Sequence, residues 1–348
     1  MLTRRTALGL GAGALLGAPF MGYAQAQDVR TLTDAAGRRV TVPGKASRVL
    51  ASGPPGSVFL YTLAPETMIG WIRPPLPEEK PYLKAPYGDL PAYARMTGRG
   101  DTVDVAAVKA RNADFILDIG AVDPGYVALA DRIQGQVGIP YVLLDGTLAK
   151  TAASYRILGG LLGREARAEE LARAADAMIR DVQGKIAAVP QDKRPRVLYA
   201  RGDKGTVRAN PINVDILDVL GAVNVAPPVP GSRVPLAMDD IQRADPGVII
   251  AIDESFFASV MTDPAWANIA AVKAKRVFHA PTLPFNWLDD PPGVNRLIGM
   301  RWLAEKLYPD LRFGDLRAAI RDFHRIFYQQ QPTVPQVEAL MKQAAAHS

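Results

Sequence analysis

Two periodicities divide the chain. Short apolar runs bounded by glycine, proline or polar clusters predict strands, and longer stretches with apolar residues three and four apart predict helices. The runs V-R-T-L-T and R-R-V-T-V-P flank Ala36-Gly37 and predict a β-hairpin. A strand over 48–52 leads into Gly53-Pro54-Pro55-Gly56-Ser57, with Ser57 expected to cap a helix reaching Leu63, and 68–72 predicts the next strand. Residues 73–102 carry no period and are rich in proline and tyrosine, the mark of a functional or disordered loop. Strict alternation follows: helix 103–111, strand 113–120, helix 124–136, strand 140–145 and helix 151–162, stopped by Gly163.

Residues 164–189 differ from all that precedes them. They are rich in Ala, Arg and Glu, hold no proline, and end at Pro190. One helix is predicted, roughly 37 Å long at 1.5 Å per residue. A second alternating run has strands at 196–200, 248–252 and 276–280, a helix at 213–220, and closing helices over 291–307, 316–330 and 334–346. Alternation on both sides of one long helix predicts an α/β fold with mainly parallel, doubly wound sheets.

The N-terminus adds a compartment. Arg4 and Arg5, a glycine-rich apolar stretch and Ala24-Gln25-Ala26 together read as an export signal over 1–26, with a twin-arginine character. The expected mature chain starts near Gln27 and is soluble, outside the cytoplasm. It has no cysteine, so thiolate sites, Cys nucleophiles and disulfides are excluded. The formal charge is +6, and the leader holds two arginines and no acid, which leaves +4. So modest a charge argues against nucleic-acid binding and permits anionic ligands.

Ligands of open α/β sheets bind beyond the carboxyl ends of the strands. That rule selects Ser52–Ser57, Trp71, Arg73 and 120–126 with Tyr126 in the first half. In the second half it selects Tyr199, Arg201, 253–256 and the loop 281–287 with Phe285 and Trp287. Tyr87 and Arg95 come from the long loop, and Arg208 lies near a further strand end. Asp289 and Asp290, before Pro291-Pro292, read as a helix start, with pairing to a cleft arginine as the alternative. The three histidines, His279, His324 and His347, cannot build a His-rich bare-metal site, although a single histidine could touch a chelate. No G-x-S-x-G, H-E-x-x-H or phosphate loop is present, so an exported hydrolase is the weaker alternative.

Several stretches carry a family likeness: R-V-L-A-S-G-P-P-G-S, T-G-R-G-D-T-V-D-V-A-A-V-K-A-R-N-A-D-F-I-L-D-I-G, G-I-P-Y-V-L-L-D-G and N-I-A-A-V-K-A-K-R-V-F-H, with Trp266 before the last, and P-P-G-V-N-R-L-I-G-M-R-W-L-A. On these, from about 31 to 309, the chain resembles periplasmic substrate-binding proteins of ABC importers for iron–siderophores, haem and cobalamin. The resemblance implies two Rossmann-like lobes, 27–163 and 191–348, joined by a backbone helix over 164–190, with a ligand cleft between them. It implies no enzyme activity and no cofactor. The cargo would be a small metal chelate, a ferric siderophore first and a cobalamin, haem or nickel/cobalt chelate second. Arg73, Arg201 and Arg208 would then serve anionic oxygens, and the aromatics would serve flat surface. The expected partner is an inner-membrane ABC permease, docked through surface carboxylates such as Glu66 and Asp240. A monomer is expected.

Overall fold

A computed structural model describes residues 28–96, 103–201, 206–207, 211–226, 234–235 and 237–345. The expected export signal and Arg208 lie outside these residues, and of Arg201 only the backbone is described.

The chain opens with the hairpin β1 (Val29–Thr33) and β2 (Arg39–Pro43), antiparallel as its alternation predicts. The first lobe holds β3 (Val49–Ala51), α1 (Pro54–Leu63), α2 (Val105–Lys109), β4 (Phe115–Gly120), α3 (Pro124–Val137), β5 (Tyr141–Asp145) and α4 (Thr151–Leu162). Its strands run parallel in the order β3-β4-β5. Every residue of β4 is buried, as a parallel strand covered by helices on both faces must be. Asp123 caps α3 by accepting from the Tyr126 amide at 3.0 Å, with Pro124 in the first turn, and Gly138 ends it with φ 70°.

The long helix α5 spans Glu165–Ile186, about 33 Å at 1.5 Å per residue. Ala168, Leu171, Ala172, Ala175, Ile179, Val182 and Ile186 form its buried face, at the three- and four-residue spacing of an amphipathic helix. A Cβ at Gly159 would collide with Ala168, so that glycine lets α4 lie close against α5.

The second lobe holds β6 (Arg196–Arg201), β7 (Thr206–Val207), α6 (Pro211–Val219), β8 (Val223–Asn224), β9 (Val234–Pro235), α7 (Met238–Ala244), β10 (Val248–Ala251), α8 (Glu254–Thr262), α9 (Ala270–Lys273), β11 (Val277–His279) and α10 (Arg296–Leu307). β11, β10, β6 and β8 are parallel neighbours, and β7 with β9 extends the sheet antiparallel. Two closing helices follow, α11 (Leu316–Phe323), which continues as a π turn over His324–Tyr328, and α12 (Val334–Ala345).

Two local expectations are corrected. Ser57 lies inside α1 and is buried; Gly53 occupies the cap position and the prolines fill the first turn. The helix expected from Pro291 starts only at Arg296, so Asp289 and Asp290 do not cap it. Instead 281–295 is a compact irregular loop. Asn286 Oδ1 accepts from the amides of Leu288 and Asp289 at 2.9 and 3.1 Å, and Asn295 Nδ2 donates to the Phe285 carbonyl at 2.8 Å. These local bonds satisfy the backbone that a helix would have satisfied. A Cβ at Gly299 would collide with the Trp287 carbonyl, so α10 packs directly beneath the loop.

The C-terminal helices also reach the first lobe. Tyr61 donates to the Tyr328 carbonyl at 3.1 Å, and Tyr328 donates to Asn295 at 2.6 Å, tying α1, the π turn and the start of α10. Arg167 of α5 donates to the carbonyls of Thr62 and Ile326.

Candidate functional site

Three segments converge on one cleft of about 370 Å³. The first lobe supplies Arg73 and Glu79. The end of β10 supplies Ile252, Asp253 and Glu254. The end of β11 and the loop after it supply His279, Thr282, Asn286 and Asp290. The second-lobe groups stand where the strand-end rule places them.

The segment 71–96 is irregular yet firmly tied. The Trp71 amide donates to the Pro91 carbonyl at 2.8 Å, the Tyr93 amide to the Trp71 carbonyl at 2.7 Å, and the Trp71 indole to the Tyr87 carbonyl at 2.8 Å. Arg73 Nη2 donates to Glu79 Oε1 at 2.8 Å, and Glu79 Oε2 accepts from the Leu76 amide at 2.7 Å. The Arg73 guanidinium carbon lies 5.2 Å from the centre of the Phe285 ring. A buried carboxylate and an aromatic face thus hold one arginine in place. The bond to Glu79 uses one of five guanidinium N–H groups, and the side chain is one-third exposed along the cleft.

Away from the cleft lining, Arg296 is fully buried and ion-paired with Asp215 of α6. Asp215 also accepts from the Leu148 amide of the first lobe, so this pair crosses between lobes. Burial pulls the Arg296 guanidinium down to about 10.

The expected site residues separate into three groups. Arg73 lines the cleft. Ser52, Trp71, Tyr199, Phe285 and Trp287 do not: all are buried in the core, a correction to their expected cleft-facing role. Trp71 lies 5.6 Å from Tyr61 and 5.8 Å from Phe285, ring to ring, and Trp287 spends its indole N–H on the Leu283 carbonyl at 2.8 Å. Their bulk favours burial, and their polar edges find backbone partners, so they shape the wall from behind. Tyr87 is half-buried, and its carbonyl is engaged by Trp71. Tyr126 is half-buried beside Gly120, and Arg95 is exposed; neither lines the cleft. Glu66 and Asp240 are exposed, each paired with a nearby arginine, Arg164 at 2.9 Å and Arg243 at 2.8 Å.

His279, expected to be a packed strand-end residue with a cleft-facing role as the alternative, lines the cleft. Glu79 was missed. A buried glutamate in a long aperiodic segment carries no sequence signal except the arginine six residues before it. Among the described residues, no group of three His, Asp or Glu side chains is placed to hold a metal ion. No described helix is long and apolar enough to cross a membrane. The lining offers one cation, several carboxylates, an imidazole, an amide and a hydroxyl. Such a set suits a ligand with both donors and acceptors.

A family model described as periplasmic binding protein matches residues 118–283. The molybdate-binding protein MolA of Haemophilus influenzae is 26% identical over 327 residues, covering 86% of this chain and 91% of that protein. An ABC transporter solute binding protein from Sulfurospirillum deleyianum superposes with a TM-score of 0.79 at 25% identity, covering 90% of this chain and 99% of the other. Helicobacter pylori CeuE, solved as a nickel–histidine complex, superposes with a TM-score of 0.68 at 16% identity over 89% of this chain and 98% of that one, a likeness of fold.

Proposed function

Since this chain belongs to the periplasmic binding proteins of ABC transporters, we propose that it captures a metal chelate, a ferric siderophore first, in the cleft between Arg73–Glu79 and the ends of β10 and β11, and hands it to a membrane permease. The family is one of solute carriage rather than catalysis. One observation supports the cargo class: the cleft's 370 Å³ and mixed-sign lining. That volume lies in the range of small-molecule sites, and a bare four-oxygen anion would leave most of it empty. Arg73 can serve chelate oxygens, while the carboxylates of Asp253, Glu254 and Asp290 can accept the chelate's N–H and O–H groups. A second reading, bare molybdate, is favoured by the Haemophilus relative's name and by Arg73 and His279. Molybdate carries no N–H or O–H to meet the carboxylates beside them. The carrier works as a monomer without a cofactor, and Glu66 and Asp240 meet the permease.

Calorimetric titration tests this with iron(III)–2,3-dihydroxybenzoate, a ferric hydroxamate, ferric citrate, haem, cobalamin, nickel–histidine, molybdate and bare metal ions. One chelate is expected to bind one-to-one with Kd of about 1 µM or lower. Arg73→Ala should weaken it roughly 10- to 100-fold, the worth of a charge-assisted hydrogen bond. Saturable binding of molybdate with no chelate bound would establish the second reading. A chelate bound equally well by Arg73→Ala would move the site out of this cleft.

A further inference from the structure

The two walls of the cleft share one attachment outside both sheets. Near its start, α12 presents Gln336, whose Nε2 donates to the Pro81 carbonyl at 2.8 Å. Pro81 is two residues from Glu79, on the first-lobe wall. Near its end α12 presents Gln343, whose Oε1 accepts from the amides of Thr282 and Leu283 at 3.0 and 3.2 Å. Thr282 is on the second-lobe wall. The two glutamines are seven residues apart, two turns, so they share one helix face at a spacing of about 10 Å.

The helix is itself anchored. Val337, Leu340 and Ala344 are buried, the Trp302 indole donates to the Ala344 carbonyl at 2.9 Å, and Arg317 of α11 makes two bonds to Glu338 at 3.1 and 2.8 Å. Gln336 is held in turn: its Oε1 accepts from the Thr333 amide at 2.7 Å, which aims Nε2 at Pro81. Gln330 donates to the same Pro81 carbonyl at 2.9 Å.

We propose that α12 is a spacer that sets the width of the cargo cleft, with Gln336 and Gln343 as its positioning residues. A helix cannot stretch without breaking its own ladder of hydrogen bonds, so two walls tied to it at fixed positions cannot separate freely. The long helix α5 joins the lobes, the Leu148–Asp215–Arg296 contact and the Tyr61–Tyr328–Asn295 chain bridge them, and α12 adds a further tie that reaches both cleft walls. The meaning of this for cargo rests on the reading of the cleft given above, but the width itself can be tested without cargo.

The chain contains no cysteine, so Glu78→Cys and Ala258→Cys, both at exposed positions on opposite walls, can carry spin labels for pulsed dipolar distance measurement on the full chain. The labelled parent should give one narrow distance distribution. Gln336→Met with Gln343→Met, matched in length but without the bonds, should shift or broaden it while the thermal transition stays cooperative. Gln343→Met alone should do so partially. Gln343→Glu keeps an acceptor for the two amides and should stay narrow. With iron(III)–2,3-dihydroxybenzoate as probe, the double variant should bind about tenfold more weakly, as expected when preorganisation is lost. An unchanged distribution in the folded double variant overturns the inference, and so does Gln343→Glu broadening as much as Gln343→Met. If the distribution widens in the double variant but Arg73→Ala leaves chelate binding intact, the spacer stands and the cargo reading fails.

Discussion

The two lobes share an α/β alternation but use their polar residues in opposite ways. In the first lobe the polar interior is closed on itself. Asp34 accepts from the amides of Ala36, Arg38 and Leu143 and from the Arg38 guanidinium. Tyr141 donates to Asp118 at 2.6 Å, and burial raises the pKa of that carboxyl. In the second lobe Asp253, Glu254, His279 and Asn286 open into the cleft at the ends of β10 and β11. With these buried acids occupied, the first lobe brings charge to the cleft only through Arg73 and Glu79, from an irregular segment. A shared topology therefore does not imply shared duties at equivalent strand ends.

The largest expected effect breaks this contrast from the first-lobe side. Asp34→Ala strands the Arg38 guanidinium, seven-eighths buried, and several amides. The loss should be about 3 kcal/mol, the lower end for removing one partner of a buried pair, because Arg38 keeps Asp131 and the Tyr141 carbonyl. Urea unfolding measures it. Cargo affinity should not change at temperatures where the variant is folded. If affinity falls along with stability, the first lobe's interior is not insulated from the cleft.

The next effect lies where the two lobes are tied together. His324 packs 5.8 Å from Tyr82 and 5.0 Å from Tyr328, ring to ring, and burial pulls its pKa to about 4. The unfolded chain binds that proton near pH 6.5, so the stabilisation is complete above 6.5 and is lost as pH falls towards 4. About 3 kcal/mol is at stake over that window. His324→Phe should remove this component, and the difference between the two stability-versus-pH curves isolates it from the carboxylates. Parallel curves would mean that His324 charges freely in the folded protein.

The regular part of this architecture is legible in the sequence. Alternating runs gave β4, α3, β5 and α4 nearly to the residue, because apolar periodicity and the Gly138 and Gly163 stops are local facts. The strand-end rule marked the segments 253–256 and 281–287, from which Asp253, Glu254, Thr282 and Asn286 line the cleft, but the aromatics singled out with them, Tyr199, Phe285 and Trp287, are buried. What was not legible depends on pairing across distance. Whether Trp71 faces ligand or core is decided by Tyr61 and Phe285, not by its own neighbours in sequence. Asp289-Asp290-Pro291-Pro292 looks like a helix start, yet Asn286 and Asn295 provide a competing set of bonds that holds the segment as a loop. Glu79 gains its role only when the chain folds back to Arg73.

The smallest expected effect sharpens the contrast at the surface. Glu66 and Arg164 are each nearly half exposed, with 44% and 46% of their side chains open, and lie 2.9 Å apart. Such a pair contributes roughly 0.2–1 kcal/mol and less at high salt. Glu66→Gln should therefore leave unfolding and cargo binding within about 0.5 kcal/mol of the parent. The same holds for Asp240→Gln, since Asp240 and Arg243 form a still more exposed pair one turn apart. If these two carboxylates are the permease contacts, the double variant should bind cargo normally yet fail to stimulate uptake into vesicles carrying the permease. That separation of binding from delivery is the informative result. Stimulation at the parental level would assign docking to other residues, since the cleft and the folded state would both be intact.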